Sequence, residues 1–193
     1  MKDILVLDIE TKNTFFDVGG QGNLNRLEMS VAVVYSYNQD KYMSFWEKDL
    51  PALNDLMKDC GMVVGFNIGY FDLPVLDKYF NFSTRALRKV DIFEEIELNV
   101  GKRISLDLVA QTNLGVGKTH SSGLEAIRLW NEGDLEELES YCRNDVKITK
   151  EVYDLALKQG YLMIPEKGSD KLIKVPMNFK DRVQTILSEN TLF

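Results

Sequence analysis

The sequence predicts an α/β fold with a mixed β-sheet flanked by helices, and three observations lead to this prediction. The run ILVLDIET at residues 4–11 begins apolar on both faces, which is typical of a strand in the middle of a sheet. Two further β-rich runs follow it closely, and the second half of the chain shows mainly helical patterns. Strands first and helices around them later indicate an α/β layer architecture.

The remaining strands are expected early in the chain. MSVAVVYSY at 29–37 and KYMSFW at 41–46 are separated by the polar turn NQD, which predicts a hairpin that continues the sheet of the first strand. MVVGFN at 62–67 is a short apolar run bounded by glycine, and it predicts a second buried strand of the parallel type. Residues 11–28 are rich in Gly and Asn and predict a long loop.

Helical periodicity and a different C-terminal pattern complete the architecture. The predicted helices are 51–59, 73–80, 91–98, 105–113, 122–130 and 134–158. YLMIP at 161–165 and KLIKVP at 171–176 then flank a polar turn and predict a second hairpin, after which Asn178 is expected to cap a terminal helix. We therefore expect one domain over residues 1–158 and a small C-terminal hairpin and helix, 159–193, packed on it.

Composition and charge exclude several classes of function. The 193 residues are 45% hydrophobic, enough for one core, while no apolar run could span a bilayer and no signal-peptide pattern opens the chain. These features predict a soluble cytoplasmic protein without a membrane partner. Cys60 and Cys142 lack metal-site or disulfide spacing and are expected to be buried. The net charge of −7 argues against a dedicated high-affinity duplex binder, although bound cations could cancel part of the acid.

Asp8 and Glu10 place two negative charges at the end of the first strand, on a face that is expected to be buried in the core. Because side chains alternate along a strand, the face that starts with Ile4 and Val6 ends with these two carboxylates. The carboxyl end of a central strand is also where open α/β sheets place ligands. Two such carboxylates repel each other unless one is protonated or a cation lies between them, which favours a hard metal ion. The alternative is that both merely end the strand and face solvent.

Two further acids, Asp72 and Asp145, lie at defined positions on predicted helices. Pro74 suits the first turn of a helix, so Asp72 lies at or just before its start, where on its own a structural cap explains it better than a catalytic role does. Asp145 falls on the apolar stripe of the 134–158 helix, where a bare carboxylate is costly and needs a partner. Tyr141 lies one turn earlier on the same face, either as ordinary packing or within reach of whatever Asp145 holds.

DIET, NIGYFD and YCRND, in this order, resemble the three motifs of the DEDD family of ribonuclease H-like 3′→5′ exonucleases. The tyrosine four residues before the last aspartate is similar to the DEDDy branch, which includes the proofreading domains of family B polymerases. Residues 65–76 and 123–152 also look like predicted stand-alone exonuclease domains of this fold. The resemblance spans roughly residues 1–157 and leaves the C-terminal segment unexplained.

This resemblance implies a metal-dependent nuclease. Asp8, Glu10, Asp72 and Asp145 would be the four ligands of two Mg²⁺ or Mn²⁺ ions, and Tyr141 would orient the attacking water. Two such ions can activate a water and stabilise the leaving oxygen, and oxygen donors suit these hard cations. Thr11, Asn67 and Phe71 lie beside the motifs and are expected to contact the terminal nucleotide. The substrate would be the 3′ end of single-stranded DNA or RNA, and a helicase or polymerase could be a partner.

Other sequence patterns that could indicate phosphate or nucleic-acid binding are weaker. GVGKT at 115–119 is not a phosphate-binding loop, because Thr112 stands where that pattern requires glycine, and Lys118 and His120 are expected to face solvent or a phosphate backbone. Basic residues at 85–89 and 102–103 either line a groove for nucleic acid or form solvated faces. Phe80 and Phe82 fit base stacking or core packing equally well. The rival to the exonuclease is a ribonuclease H-like module, weak or inactive as a catalyst, that binds nucleic acid or a partner protein.

Overall fold

The computed structural model describes residues 2–117, 123–166, 171–180 and 183–184. Its strands are β1 (Ile4–Thr11), β2 (Met29–Ser36), β3 (Lys41–Trp46), β4 (Met62–Gly65), β5 (Lys89–Asp91), β6 (Tyr161–Pro165) and β7 (Leu172–Pro176). Its helices are α1 (Leu50–Asp59), α2 (Asp72–Asp77), α3 (Ile92–Val100), α4 (Leu106–Leu114), α5 (Gly123–Glu132) and α6 (Leu135–Gln159). No helix in these described ranges is both long and apolar enough to cross a membrane.

Five of the strands form one sheet in the order β3-β2-β1-β4-β5. β1 pairs antiparallel with β2, which pairs antiparallel with β3, while β4 and β5 run parallel to β1. The α/β fold with a mixed sheet, its central first strand and its 29–46 hairpin are therefore confirmed. The three inner strands, β2, β1 and β4, are largely buried along their length, as expected in the middle of a sheet.

Alternate residues of β1 enter two separate cores. Leu5, Leu7 and Ile9 pack in a cluster with α1 and α2, whereas Val6 packs on the other face in a cluster that includes α6. Asp8 and Glu10 have the same parity as Val6, so the pleat directs them towards the α6 side of the sheet.

The hairpin of β6 and β7 forms a second, two-stranded sheet. Leu162, Ile164 and Val175 are buried in the same core cluster as α6, so this segment packs on the core that it follows. Helical conformation begins at Phe179, directly after the expected cap at Asn178, and most of the predicted terminal helix lies outside the described residues. The division at residue 158 stays a prediction.

Three local features differ from the sequence-based expectations. The predicted loop contains a short 3₁₀ helix at Gln21–Arg26. α2 ends at Asp77 rather than near residue 80, because the Asp77 carboxylate accepts the Thr84 backbone N–H at 2.6 Å and the chain turns there. β5 was not expected, since its three residues KVD have too little apolar pattern to predict a strand.

Candidate active site

Three carboxylates from β1 and α6 meet at the carboxyl end of the central strand. Asp8 and Glu10 project half-buried from β1, and Asp145 faces them from α6 with only 5% of its surface exposed. One ligand atom of each lies within 4.8 Å of those of the other two. Carboxylates this close cannot all be charged at low cost without a cation or shared protons.

Asp145 reaches this position because α6 packs its apolar stripe against the sheet. Leu138, Ile148 and Val152 on that stripe are buried, and Asp145 occupies a place between them. The helix begins after Asp134, whose side chain accepts the Glu137 backbone N–H, which fixes where the stripe starts. The sequence therefore specifies both the helix and the direction in which Asp145 points.

Asp72 adds a fourth carboxylate next to this group. It is the first residue of α2, is 3% exposed, and accepts the backbone N–H of Ile9 at 3.0 Å. The β1–β4 pairing ends at Val6, so Asp72 supplies the acceptor that a longer β4 would have provided. Burial, followed by the charge of Asp8, raises the pKa of Asp72 well above its usual range. Asp72 is thus adjacent to Asp8 although it lies outside the tighter group of three.

Tyr141 faces the same carboxylates from one turn earlier on α6. Its pKa is raised, first by burial and then by the negative charges of Glu10, Asp145 and Asp8. The phenol therefore keeps its proton throughout the neutral range. It can act as a hydrogen-bond donor, which is the role that the resemblance assigns to it.

These side chains line one open cleft of about 480 Å³. The predicted site residues on its wall are Asp8, Glu10, Asn67, Phe71, Asp72, Tyr141 and Asp145. Thr11 is the exception, because it lines a smaller neighbouring cavity of about 280 Å³ that shares Glu10 and Phe71 with the cleft. Its hydroxyl donates to the Asn13 carbonyl at 3.0 Å. Seven of the eight predicted residues are therefore brought together.

Asp91 positions the site and was not identified from the sequence. Its carboxylate accepts backbone N–H groups from Asn67 at 2.7 Å and Gly69 at 2.8 Å, and it also caps α3 through Phe93. These bonds hold the turn that leads into Asp72, in which Asn67 adopts a φ of 67°. An aspartate directly before the helical pattern IFEEIEL was a capping signal, but its bonds to residues 67–69 depend on tertiary structure.

Cys142 is a second residue next to the site whose contact with it was not identified from the sequence, which predicted only that this cysteine is buried. It is buried and free, as is Cys60, in agreement with the prediction. Its sulfur also lies 3.4 Å from the Asp8 carbonyl oxygen and 3.5 Å from an Asp8 carboxylate oxygen. Cys142 therefore helps to fix the position of Asp8 against α6.

The predicted basic residues do not form one surface. Arg103 lines the cleft, whereas Arg85 and Lys89 line a different cavity. Lys89 is bound to Glu94, and Lys102 donates to the Pro165 carbonyl at 2.7 Å. The rings at positions 80 and 82 stack on each other at 5.3 Å beside the α1–α2 core, which is core packing. Lys118 and His120 lie outside the described residues.

Comparison with known proteins supplies the family. A profile described as RNase_H superfamily (RNase_H_2) matches residues 5–157. The chain belongs to the RNase_H superfamily. The match covers nearly all of the five-stranded sheet and of α6, and it confirms the ribonuclease H-like fold predicted from the motifs. No curated protein matches the chain.

A solved structure shares the RNase_H superfamily fold of this chain. The family B DNA polymerase from the hyperthermophilic archaeon Pyrobaculum calidifontis matches with a TM-score of 0.62 and 19% sequence identity. The match covers 81% of this chain and 25% of the polymerase chain, so this chain spans about a quarter of the polymerase's length. At this identity the likeness concerns the fold.

The residues of the cleft fit the divalent metal ions that this superfamily generally uses. The donors are all carboxylate oxygens, which hard cations prefer, and three of them converge within 4.8 Å. Burial and then the charge of Asp8 raise the pKa of Asp72, and a bound cation would offset this concentration of negative charge. The RNase_H superfamily and this cluster together indicate a nuclease.

Proposed function

We propose that this chain is a metal-dependent 3′→5′ exonuclease of the DEDDy branch, which hydrolyses phosphodiester bonds at the 3′ end of DNA or RNA. The observation that carries the proposal is the convergence of Asp8, Glu10 and Asp145, with ligand atoms within 4.8 Å of one another. Asp72 and Tyr141 line the same cleft. The order of the DIET, NIGYFD and YCRND motifs supports the 3′ direction.

In this proposal Asp8, Glu10, Asp72 and Asp145 hold two divalent cations. When bound, Mg²⁺ or Mn²⁺ would neutralise the phosphate, lower the pKa of a water and stabilise the leaving oxygen. The rigid parts of the fold present the ligands, since Asp8 and Glu10 extend from the central strand and Asp145 from the longest helix. Burial of Asp72 and its bond to Ile9 fix the fourth carboxylate relative to the first.

Tyr141 would orient the water that attacks the phosphate. Burial, followed by the negative charges of the surrounding carboxylates, raises the pKa of the phenol, so it would donate a hydrogen bond rather than act as a base. Asn67 and Phe71, which line the same cleft, would contact the terminal nucleotide. Thr11, whose hydroxyl is engaged with Asn13, would shape the adjoining cavity.

The rival proposal is a module of the same fold that binds nucleic acid or a protein without cutting. The net charge of −7 predicts weak unaided binding to nucleic acid, which also suits an exonuclease that receives its strand end from a helicase or polymerase. The complete carboxylate set favours the enzyme, because a module that only binds has no need of four acids in an electrostatically costly arrangement.

A degradation assay separates the two proposals. Single-stranded DNA and RNA labelled at the 5′ end are incubated with the protein and Mg²⁺, Mn²⁺ or EDTA. We expect a ladder that shortens from the 3′ end, disappears in EDTA and is lost in Asp145→Asn. Glu136→Gln is the matched control, since Glu136 is an exposed acid on the same helix, and this variant should cut normally.

Two results would count against the enzyme. Substrate that stays intact with every metal supports the binding module. Activity that persists in Asp145→Asn shows that a contaminating nuclease is responsible. Duplex, overhang and structured RNA substrates in the same assay then define which strand ends are accepted.

A further inference from the structure

Arg103 is a cationic residue on the wall of the acidic cleft. It lies in the link between α3 and α4, and its side chain is exposed. The same cleft is lined by Asp8, Asp145 and the other carboxylates of the site. An arginine in such a place would be expected to bind one of these carboxylates unless other contacts direct it elsewhere.

Two aromatic rings hold the guanidinium group of Arg103. Its central carbon lies 4.9 Å from the centroid of the Phe93 ring and 5.9 Å from that of Tyr70. Phe93 also lines the cleft. A guanidinium stacked on rings keeps its N–H donors in the plane of the group, where they remain available to an anion.

Within the described ranges, no carboxylate forms an ion pair with Arg103. Other basic side chains of the protein are engaged: Lys12 pairs with Glu47, Lys89 with Glu94, Arg128 with Glu125, Arg143 with Glu139 and Lys150 with Asp154. In a chain with a net charge of −7, a cation without an acidic partner at the opening of an acidic cleft is a ready site for an anionic ligand.

The backbone on both sides of Arg103 is anchored. Gly101 ends α3 with a φ of 67°, and its N–H donates to the Glu97 carbonyl at 2.7 Å. Lys102 is tied to the Pro165 carbonyl, Ile104 is buried in the core, and Ser105 caps α4. The position of Arg103 at the rim is therefore set before any ligand arrives, which lowers the entropic cost of binding.

We infer that Arg103 is a substrate-binding residue that contacts a backbone phosphate of the nucleic-acid strand as it enters the cleft. This inference rests on the proposed function, because it takes the strand end to lie among the carboxylates. A planar, permanently charged guanidinium matches a phosphodiester group. The contact offsets part of the repulsion between the phosphates and the acidic wall, and it is independent of base sequence.

The test measures strand binding and its salt dependence. The full chain is titrated, with Mg²⁺ present, into a fluorescently labelled single-stranded DNA whose 3′-terminal linkages are phosphorothioates that resist hydrolysis. Arg103→Gln keeps a planar group on the rings but removes the charge, and we expect Kd to rise about tenfold at low salt. The slope of log K against log salt should become shallower by about 0.7, the value for one phosphate contact of a single strand.

Two further variants make the test specific. Arg103→Lys keeps the charge but loses the planar stack, so its affinity should fall between those of wild type and Arg103→Gln. Arg85→Gln removes the same charge from an exposed arginine that lines another cavity, and it should leave both Kd and slope unchanged. The melting temperature of each variant is measured to confirm folding.

Several outcomes would overturn the inference. Wild-type affinity and slope in Arg103→Gln would do so, and so would weaker binding with an unchanged slope, which would indicate lost packing rather than a lost phosphate contact. Absence of strand binding by the wild type also overturns it. If the wild type binds but never cuts, the proposed exonuclease fails while Arg103 is still judged by the slope. If it cuts and the slope does not change, only the role of Arg103 fails.

Discussion

The carboxylate of Asp72 accepts a hydrogen bond from the backbone N–H of Ile9 at 3.0 Å, which ties the start of α2 to the central strand beside Asp8. The bond extends the sheet's pairing beyond the point where β4 ends. Burial and then the charge of Asp8 raise the pKa of Asp72, while the bond from Ile9 itself lowers it. The interaction has therefore both a structural and an electrostatic component, and substitutions can separate them.

Asp72→Asn is predicted to stabilise the metal-free protein while it abolishes activity. The amide oxygen can still accept the Ile9 N–H, and the buried negative charge is removed, so the free energy of unfolding in EDTA should rise by about 1 kcal/mol. Hydrolysis should fall at least about 100-fold, because one proposed metal ligand is lost. Urea unfolding and the ladder assay measure the two effects.

Asp72→Ala is the companion variant, since it removes both the charge and the acceptor. The Ile9 N–H is then left buried without its partner, so this variant should be less stable than Asp72→Asn by about 2 kcal/mol. Equal stability of the two variants would show that the bond to Ile9 contributes nothing measurable.

Divalent metal ions are predicted to stabilise the protein without any substrate. Binding to the folded state alone raises the free energy of unfolding by about 2.7 kcal/mol when the ion is present at about 100 times its Kd. Melting curves with and without Mn²⁺ measure this gain. Asp8→Asn should lose most of it and Glu136→Gln should keep it, whereas identical gains in both would place the ion elsewhere.

Tyr141→Phe is predicted to slow hydrolysis and leave metal binding intact. The ring still fills its buried position on α6, while the hydroxyl that would orient the water is gone, so turnover should fall about 10-fold to 100-fold. The Mn²⁺-dependent rise in melting temperature should match that of the wild type. Turnover equal to that of the wild type would refute the role assigned to this residue.

Gly65 is predicted to tolerate no side chain. A Cβ at this position would lie 2.1 Å from Cγ2 of Ile68 and 3.0 Å from the Leu7 carbonyl oxygen, where β4 passes into the turn before Asp72. Gly65→Ala should therefore lower the free energy of unfolding by about 2–3 kcal/mol. Gly22→Ala, whose Cβ meets nothing within 4 Å, is the control, and equal denaturation midpoints for the two variants would contradict the prediction.

Both cysteines are predicted to be unreactive in the folded protein. Burial, with a smaller contribution from Asp3, raises the pKa of the Cys60 thiol to about 11, and burial followed by the Asp8 charge raises the pKa of Cys142. Because the pKa is raised, the reactive thiolate is scarce below it, at about one part in a thousand for Cys60 at pH 8. A colorimetric thiol reagent should detect both groups only after unfolding in guanidinium, and rapid reaction of the native protein would contradict this.

The central features of the site could be predicted because they follow from periodicity. The period of two along β1 places Asp8 and Glu10 on one face, and the helical stripe of α6 directs Asp145 and Tyr141 inward. Local pattern is sufficient for these residues, since their neighbours on the strand or helix reveal which face is buried.

Features that depend on tertiary contacts could not be predicted in this way. β5 is a strand only because β4 lies beside it, and the role of Asp91 depends on bonds to residues 67–69 that are distant in sequence. The stacking of Arg103 on Phe93 and Tyr70 likewise joins separate segments. For the same reason the sequence could not distinguish the arginine of the cleft from the other basic residues.

The proposed metal ligands are spread over β1, α2 and α6, at positions 8, 10, 72 and 145 of the chain. During synthesis Asp145 leaves the ribosome last of the four, so a nascent or prematurely terminated polypeptide that stops before α6 holds only three of these carboxylates and lacks Tyr141. Under the proposed function, half-made copies should therefore lack exonuclease activity. In that proposal the site is complete only when α6 packs on the sheet and Asp145 joins the other three carboxylates.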